Sequence, residues 1–445
     1  MDYLYISLTF FLLVVSFWKM SLLPFPTGII IILFVSQVVF LLTHDGVMTC
    51  SLYDIVHLGG LTRQYDYTQF LYSSLATFCY LTSIRFSKKI ESGRVGNAIG
   101  NYIKNFAPNR RTTLLLLIFL LIQFGLFLLV TDWRKLWFHP NYLSPISDDE
   151  VVAVLGNIIP SIIIKTAIFF LFISTFGFLF SKNSNFLVRT IFFSIALFYY
   201  FLFLGIHSRG TVVVPVIIGL FAFLNTNRCK FFMIPLIILV CIIDISSALM
   251  GRSLNVQGFS SIPLTMVRVF NGDLKNSLNT ILLNVNEGIF ETAEGLQLTN
   301  NFDELYKLLC FSPLPSAIDN YDSIKQTNQV RLHLYVPLPG LAEIHLFGWP
   351  YFCAMIFIYF VIIRAHLGIQ TKNVMSYILC NFLIMFSIYH LLAYPLRNAL
   401  HFAWLVFAFT VITYSWPNKN TSYFTPDTKI DSDFQPMLPP NFFHR

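Results

Sequence analysis

Eleven apolar runs dominate this chain, at roughly 3–19, 28–43, 68–86, 112–131, 156–180, 187–205, 211–225, 231–249, 344–364, 374–394 and 400–416. A helix rises about 1.5 Å per residue, so a hydrocarbon core about 30 Å thick asks for about 20 apolar residues. The runs come close to that length, and few charges interrupt them. Charged residues make up 11% of the 445 positions, against roughly 25% in soluble domains. A water-facing surface could not be covered at that composition. Lipid offers no partner to backbone N–H and C=O groups, which leaves helices as the spanning elements for runs of this kind. The expected fold is an all-α polytopic integral membrane protein of about 11 transmembrane helices within residues 1–416. A polar tail at 417–445 follows. The first run, Leu4 to Trp18, has no basic segment before it and no small-residue cleavage site after it. It reads as a retained helix rather than a signal peptide.

Orientation follows from Lys and Arg in the short connectors. The connector after the third run carries Arg85, Lys88, Lys89, Arg94, Lys104, Arg110 and Arg111 against Glu91 alone. That places it in the cytoplasm. Alternation then puts Lys182 and Arg189, Arg228 and Lys230, Arg364 and Lys372, and the tail on the same side. Segments 44–67, 132–150, 205–210 and 394–398 fall outside, together with the one large loop, 250–343. The net charge of +7 therefore gives no reason to expect a nucleic acid partner, because the basic residues are spread over short membrane-flanking connectors.

The large loop opens MGRSLNVQGFSS and closes VPLPGLAEIHLFGW. Within it, Leu278, Ile281, Leu282, Val285 and Ile289 recur near helical spacing, and Glu287, Glu291 and Glu294 share a face. The pattern predicts an amphipathic surface helix over Leu274–Leu298 with a solvated acidic side. Of the seven cysteines, none stands in a CxxC or zinc spacing. Cys50 and Cys310 both fall outside and could pair, although two unrelated thiols are the simpler reading. The spacing of His, Asp and Glu predicts no metal site, and no G-x-S-x-G marks a serine hydrolase.

Four arginines fall at one expected depth, the outer headgroup level. Arg209 lies in the turn GIHSRG between two apolar runs, where it must snorkel, pair with an acid or bind an anion. Arg252 follows the eighth run, Arg268 lies in PLTMVRVF, and Arg397 occupies the last outer turn, YPLRN. As a set they suit a diphosphate, since a guanidinium keeps its charge and binds phosphate oxygens bidentately. Taken singly, each could equally pair with an acid. Glu343 is either a general base for an attacking hydroxyl or an acid favoured at a helix N-terminus. His345 and His333 offer weaker versions of the base. Arg331 adds a further candidate contact. Lys165 and Asp244, about 25 Å and 21 Å along their helices from the inner boundary, read first as a buried clasp. Lys165 as a phosphate contact is the alternative.

In order, FLGIHSRGTVVVPVI with Arg209, MGRSL with Arg252, MVRVFNGDLKNSLNTILLN with Arg268, VPLPGLAEIHLFGWPYFCAMIFIYFVIIR with Glu343, and AYPLRNALHF with Arg397 resemble the O-antigen polymerases, the Wzy-type family. The likeness covers the chain from about residue 112 onward. It implies a GT-C-like, metal-independent membrane glycosyltransferase with no cofactor, in a bacterial inner membrane with its site facing the periplasm. The donor would be a growing glycan on undecaprenyl diphosphate, and the acceptor a lipid-linked repeat unit. A chain-length regulator protein would be a further partner. An O-antigen ligase shares the donor chemistry. A polysaccharide flippase is the rival from another class, and would usually show short loops and more charges within the bilayer.

Overall fold

The structure is a computed structural model describing residues 2–19, 24–47, 58–87, 110–142, 144–156, 158–181, 185–212, 214–219, 230–272, 274–299, 301–314, 319, 321–333, 336–369 and 374–415. These residues are almost wholly helical. The long helices are α1 (Asp2–Lys19), α2 (Pro24–His44), α3 (Leu58–Ser87), α4 (Arg110–Val130), α7 (Ile158–Phe180), α8 (Phe186–Gly205), α9 (Lys230–Ser253), α16 (Trp349–Ile369), α17 (Val374–Ala393) and α18 (Leu396–Ser415). Two short helices, α5 (Trp133–Trp137) and α6 (Asp149–Leu155), join α4 to α7. The polar stretch between α9 and α16 holds α10 (Ser261–Asn271), α11 (Leu274–Val285), α12 (Glu287–Gly295), α13 (Glu304–Cys310), α14 (Tyr321–Asn328) and α15 (Gly340–Phe347). It also holds an antiparallel pair, β1 (Arg331–His333) and β2 (Val336–Pro337).

Among the described residues, seven helices are long and apolar enough to cross a membrane: those containing Thr27–His44, Thr113–Val130, Ile162–Phe180, Phe186–Gly205, Pro235–Ser253, Trp349–His366 and Leu396–Thr413. Three of the remaining expected spans are shorter apolar helices, Tyr3–Ser16, Gly210–Gly219 and Leu379–Ala393. The run at 68–86 lies within α3, where Gln69, Ser73, Thr82 and Ser83 are buried polar residues. The chain is thus an all-α, membrane-embedded protein. The run at 344–364 needs correcting at its start. Gly348, at φ +94°, separates α15 from α16, so the membrane-crossing helix begins at Trp349.

The buried apolar side chains form two clusters. One joins α1–α3 to α11–α18, and the other joins α4, α5, α7 and α8. Helix α9 packs against α8, α10 and α11. At one end of the bundle the connectors are knit together by backbone hydrogen bonds. His139 and Gln257 exchange N–H···O bonds of 2.9 Å each way, Gly258 N–H donates to Gly205 O at 2.9 Å, and Phe259 N–H donates to Leu136 O at 3.0 Å. Short helices are marginal alone, and side-chain caps fix the two here. Asp132 accepts from the N–H groups of Arg134 and Lys135, and Asp148 from those of Glu150 and Val151.

The expected surface helix over 274–298 is not what forms. Asn286, at φ −105° and ψ 15°, splits it into α11 and α12. Gly288, Ile289, Phe290, Thr292, Ala293 and Gly295 of α12 are buried. Helix α12 packs against α2, α3, α15 and α17, so three glutamates at helical spacing concealed an opposite face of small and apolar residues that belongs to the core. The closest approach is at Gly288, where an added Cβ would lie 2.1 Å from the carbonyl oxygen of Leu392. Gly288→Val therefore costs about 3 kcal/mol or more, read as a collapse of the monodisperse yield in detergent. Gly125→Val, with nothing within 4 Å of its Cβ, leaves that yield unchanged.

Candidate functional site at the arginine-bearing end of the bundle

The residues singled out by sequence fall into two groups of elements rather than one ring. Arg209 opens a 3-10 turn, Arg209–Val212, that packs against α8 and α9; its side chain lies outside the described residues. Arg252 is in the last turn of α9 and donates through Nη2 to the backbone oxygen of His207 at 3.1 Å. Arg268 is in the last turn of α10, which packs along α9. It is exposed and has no hydrogen-bond or ion-pair partner among the described residues.

His207 holds this half together, and sequence reading missed it. Its backbone is left-handed, at φ 56°. Its ring is fully buried and donates from Nε2 to Val256 O at 2.6 Å. The ring occupies the space where a side chain on residue 251 would begin, since a Cβ on Gly251 would lie 2.0 Å from Cε1. Burial, with the Arg252 charge beside it, holds the imidazole below its ordinary value. The signal in the sequence was the pairing of GIHSRG with MGRSL, an imidazole in one turn and a glycine in the other. Only the fold shows that they interlock.

Arg397 departs from the expected set. It is 1% exposed at the start of α18. Nη1 donates to Leu309 O, and Nη2 donates to Leu314 O and to Asp319 Oδ2, each at 2.7 Å. Its Cζ lies 4.1 Å from the centroid of the Tyr321 ring. Burial works to raise the Asp319 carboxyl, but hydrogen bonds from Arg397 and Ser312 and the Arg397 charge bring it below its ordinary value. The expectation that Arg397 faces a diphosphate is therefore corrected. Buried guanidinium donors need protein acceptors; both terminal nitrogens are used to clamp residues 309–321 onto α18, while Nε is buried without a hydrogen-bond partner among the described residues.

Glu343 is corrected for a similar reason. It is 2% exposed. Its Oε1 accepts from the Tyr306 hydroxyl at 2.6 Å, and its Oε2 accepts from the Leu396 N–H at 2.8 Å. Both oxygens of the carboxyl are held by the protein. It joins α15 and α13 to the first N–H of α18, the N-terminal acid of the two readings in a tertiary form. Burial pushes its pKa up to about 7, opposed by those two hydrogen bonds. Tyr306, Asp319 and Tyr321 complete the clamp. Asp319 sits in SPLPSAIDNYDS, where nothing in the pattern marks one acid among three polar neighbours.

The other candidates are dispersed. Arg331 is exposed on β1. His345 is exposed on α15, its Nδ1 3.2 Å from the Tyr67 hydroxyl. The side chains of Lys165 and His333 lie outside the described residues, and with them the expected clasp between Lys165 and Asp244. Asp244 accepts on Oδ1 from the Tyr200 hydroxyl at 2.8 Å. Cys310 is a buried thiol, and its possible partner Cys50 lies outside the described residues. Among the described residues no group of His, Cys, Asp or Glu could hold a metal ion.

With this geometry in hand, comparison with known proteins adds no relative: no family model, curated protein or solved structure matches the chain. What is established is the class, an all-α membrane protein with a buried arginine clamp and a second, partly open arginine-bearing face.

Removing the Arg397 guanidinium strands Asp319 in a site where that charge was paired. Arg397→Ala should cost about 3–5 kcal/mol and open residues 309–321 to limited proteolysis, and Arg397→Lys should not restore protection because an ammonium cannot match the planar fork. Glu343 adds a pH dependence. Its folded pKa lies above its unfolded value, so its contribution is fully present below about 4.5 and is lost as pH rises through about 7. Thermal melts from pH 4.5 to 8 should show that decline, and Glu343→Gln should flatten it.

Proposed function

We propose that this protein is a membrane glycosyltransferase of the O-antigen polymerase type. It transfers a growing glycan from undecaprenyl diphosphate to the next lipid-linked repeat unit, in a bacterial inner membrane with the site facing the periplasm. The observation that carries the reading is the gathering of arginine-bearing elements around α9. The turn bearing Arg209 and α10 bearing Arg268 each pack on α9, whose last turn carries Arg252, beside helices long and apolar enough to span a membrane.

The chemistry follows from that placement. The acceptor hydroxyl attacks the anomeric carbon of the donor and gives up its proton as the new bond forms. The anomeric carbon–oxygen bond to the diphosphate breaks, and undecaprenyl diphosphate leaves with the electron pair. Negative charge grows on the leaving diphosphate, where fixed guanidinium groups stabilise it most in a partly dry site. Both reactants are held in the membrane by their lipid chains, so the protein has chiefly to orient them. Arg397 and Glu343 act at a distance here, shaping the wall formed by residues 304–347. Arg331, His345 and Lys165 are left as contacts for the glycan or diphosphate. A chain-length regulator protein fits the same scheme as a partner.

The purified protein supplied with one synthetic undecaprenyl-diphosphate-linked repeat unit should produce a ladder of products. Arg209→Ala, Arg252→Ala and Arg268→Ala should each lower the initial rate about 100-fold, the scale on which one preorganised oxyanion donor acts. Unchanged ladders in Arg252→Ala and Arg268→Ala would sink the assignment. A strain lacking the protein should still cap its lipid with one repeat unit. Loss of that cap would instead point to the ligase, and accumulation of unflipped substrate to the flippase.

A further inference from the structure

Helix α10 does not lie across the top of the bundle; it runs back down α9. Gly258, three residues before α10 begins, donates its N–H to Gly205 O at the end of α8. Just beyond Gly205, the His207 ring lies against Gly251 of α9. Seven residues after Gly258, the Thr265 hydroxyl is hydrogen-bonded to that of Ser247 at 2.8 Å, with both side chains buried. The contact moves from Gly251 back to Ser247 on α9 while it advances along α10, so the two helices are antiparallel. Ser247 is six residues before the end of α9, and Phe270 is five residues past Thr265. At about 1.5 Å per residue Phe270 lies roughly 16 Å below Ser253, near the middle of the apolar span Pro235–Ser253.

Helix α11 makes the return. It packs against α9 and is followed by Asn286, whose Oδ1 accepts from Ser36 Oγ at 2.7 Å. Gly288 then abuts the carbonyl of Leu392, at the end of α17. That end shares a face with Gly205. A Cβ on Gly28 would touch Met385, so α2 runs parallel to α17; Tyr65 packs on Phe40 and His44, so α3 runs back. The basic sequence between α3 and α4 keeps to one side, and α4 then climbs to α5, whose Leu136 accepts from Phe259. From Leu274 to Val285, α11 covers about 17 Å, which matches the descent of α10.

We infer that α10 and α11 form a re-entrant hairpin whose turn reaches the middle of the membrane and there lines a water-filled vestibule beside α9. Non-helical backbone at that depth is tolerated only where protein covers it or water reaches it. Asn271 and Gly272, where α10 ends, are both exposed, and so is Arg268 one turn above them. Arg268 is three residues past Thr265 and therefore level with Asp244, three before Ser247. That is about 12 Å deeper than Arg252, and not the headgroup level expected for it. Asp244 Oδ2 is buried with no hydrogen-bond partner among the described residues. A guanidinium facing hydrocarbon is costly, so this flank of α10 requires water. The outer side is different: Pro263, Val267 and Phe270 recur there at helical spacing, all exposed, and at this depth they meet lipid.

The inference does not rest on the glycosyl-transfer reading, and its test uses no substrate. Single cysteines replace Pro263, Phe270 and Asn271 in a Cys353→Ser background, and the full chain is placed in phosphatidylcholine nanodiscs, which leave both faces open to reagents. The parent's own labelling is subtracted. Bimane at Phe270 should be quenched at least about twofold more by 12-doxyl than by 5-doxyl lipid. At Pro263, two turns higher on the same side of α10, that order should reverse. The Asn271 thiol should react with a charged, membrane-impermeant methanethiosulfonate at least about tenfold faster than the Phe270 thiol. Quenching at Phe270 no deeper than at Pro263, or none from either lipid, overturns the hairpin. An Asn271 thiol no faster than that of Phe270 overturns the vestibule. Val267→Cys and Arg268→Cys give the same two readings if Phe270→Cys or Asn271→Cys does not fold.

Discussion

A guanidinium buried at the first turn of α18 has to find acceptors inside the protein, and the second half of the polar stretch is arranged to supply them. Two carbonyls from residues 309–314, the Asp319 carboxylate and the face of Tyr321 surround Arg397. One residue earlier, the Leu396 N–H is taken by Glu343, whose other oxygen holds Tyr306. The start of α18 is thus a hub on which α13, α14 and α15 are fastened. Aromatic rings fill the space between the polar bonds, with Phe302, Tyr306 and Tyr321 stacked in sequence. Their low-dielectric surroundings make each hydrogen bond stronger and each missing one costlier.

The other half of the same end is built on a different principle. Backbone bonds between connectors 132–150, 205–210 and 251–260 make a small ordered assembly, and the buried ring of His207 locks it. Its arginines are less enclosed than Arg397: Arg252 is half-buried and Arg268 exposed. The division of labour follows from burial. An arginine buried among carbonyls and a carboxylate holds those elements together. Arg268, exposed and without a partner among the described residues, keeps its donors for an anion. Under the proposed function this places the diphosphate with α9, α10 and the 205–212 turn, and the clamp with the wall facing it.

Much of the fold was legible because hydrophobicity in a bilayer is a one-dimensional signal. The apolar runs became helices wherever the structure describes them, and connectors 132–150, 205–210 and 251–260 are joined by backbone hydrogen bonds. The failures share a cause. The polar stretch was read by local pattern, and local pattern made Leu274–Leu298 a surface helix. Three glutamates at helical spacing are real, but Gly288, Thr292 and Gly295 on the opposite face were the better guide. Small residues in a helix mark a place where another backbone comes close. Arg397 was misread in the same way, since its position in an outer turn says nothing about what folds over that turn.

Sequence by itself determined that the chain lives in a membrane, where its helices lie, and that it carries arginines in connectors expected at one face. Those follow from chain-local quantities: the length of apolar runs and the distribution of charge between them. Tertiary structure alone decided which arginines are buried, that Glu343 is enclosed rather than open, and that Asn286 meets Ser36 across 250 positions of sequence. A buried polar atom is defined by the partner it finds, and partners far apart in the chain are brought together only by packing.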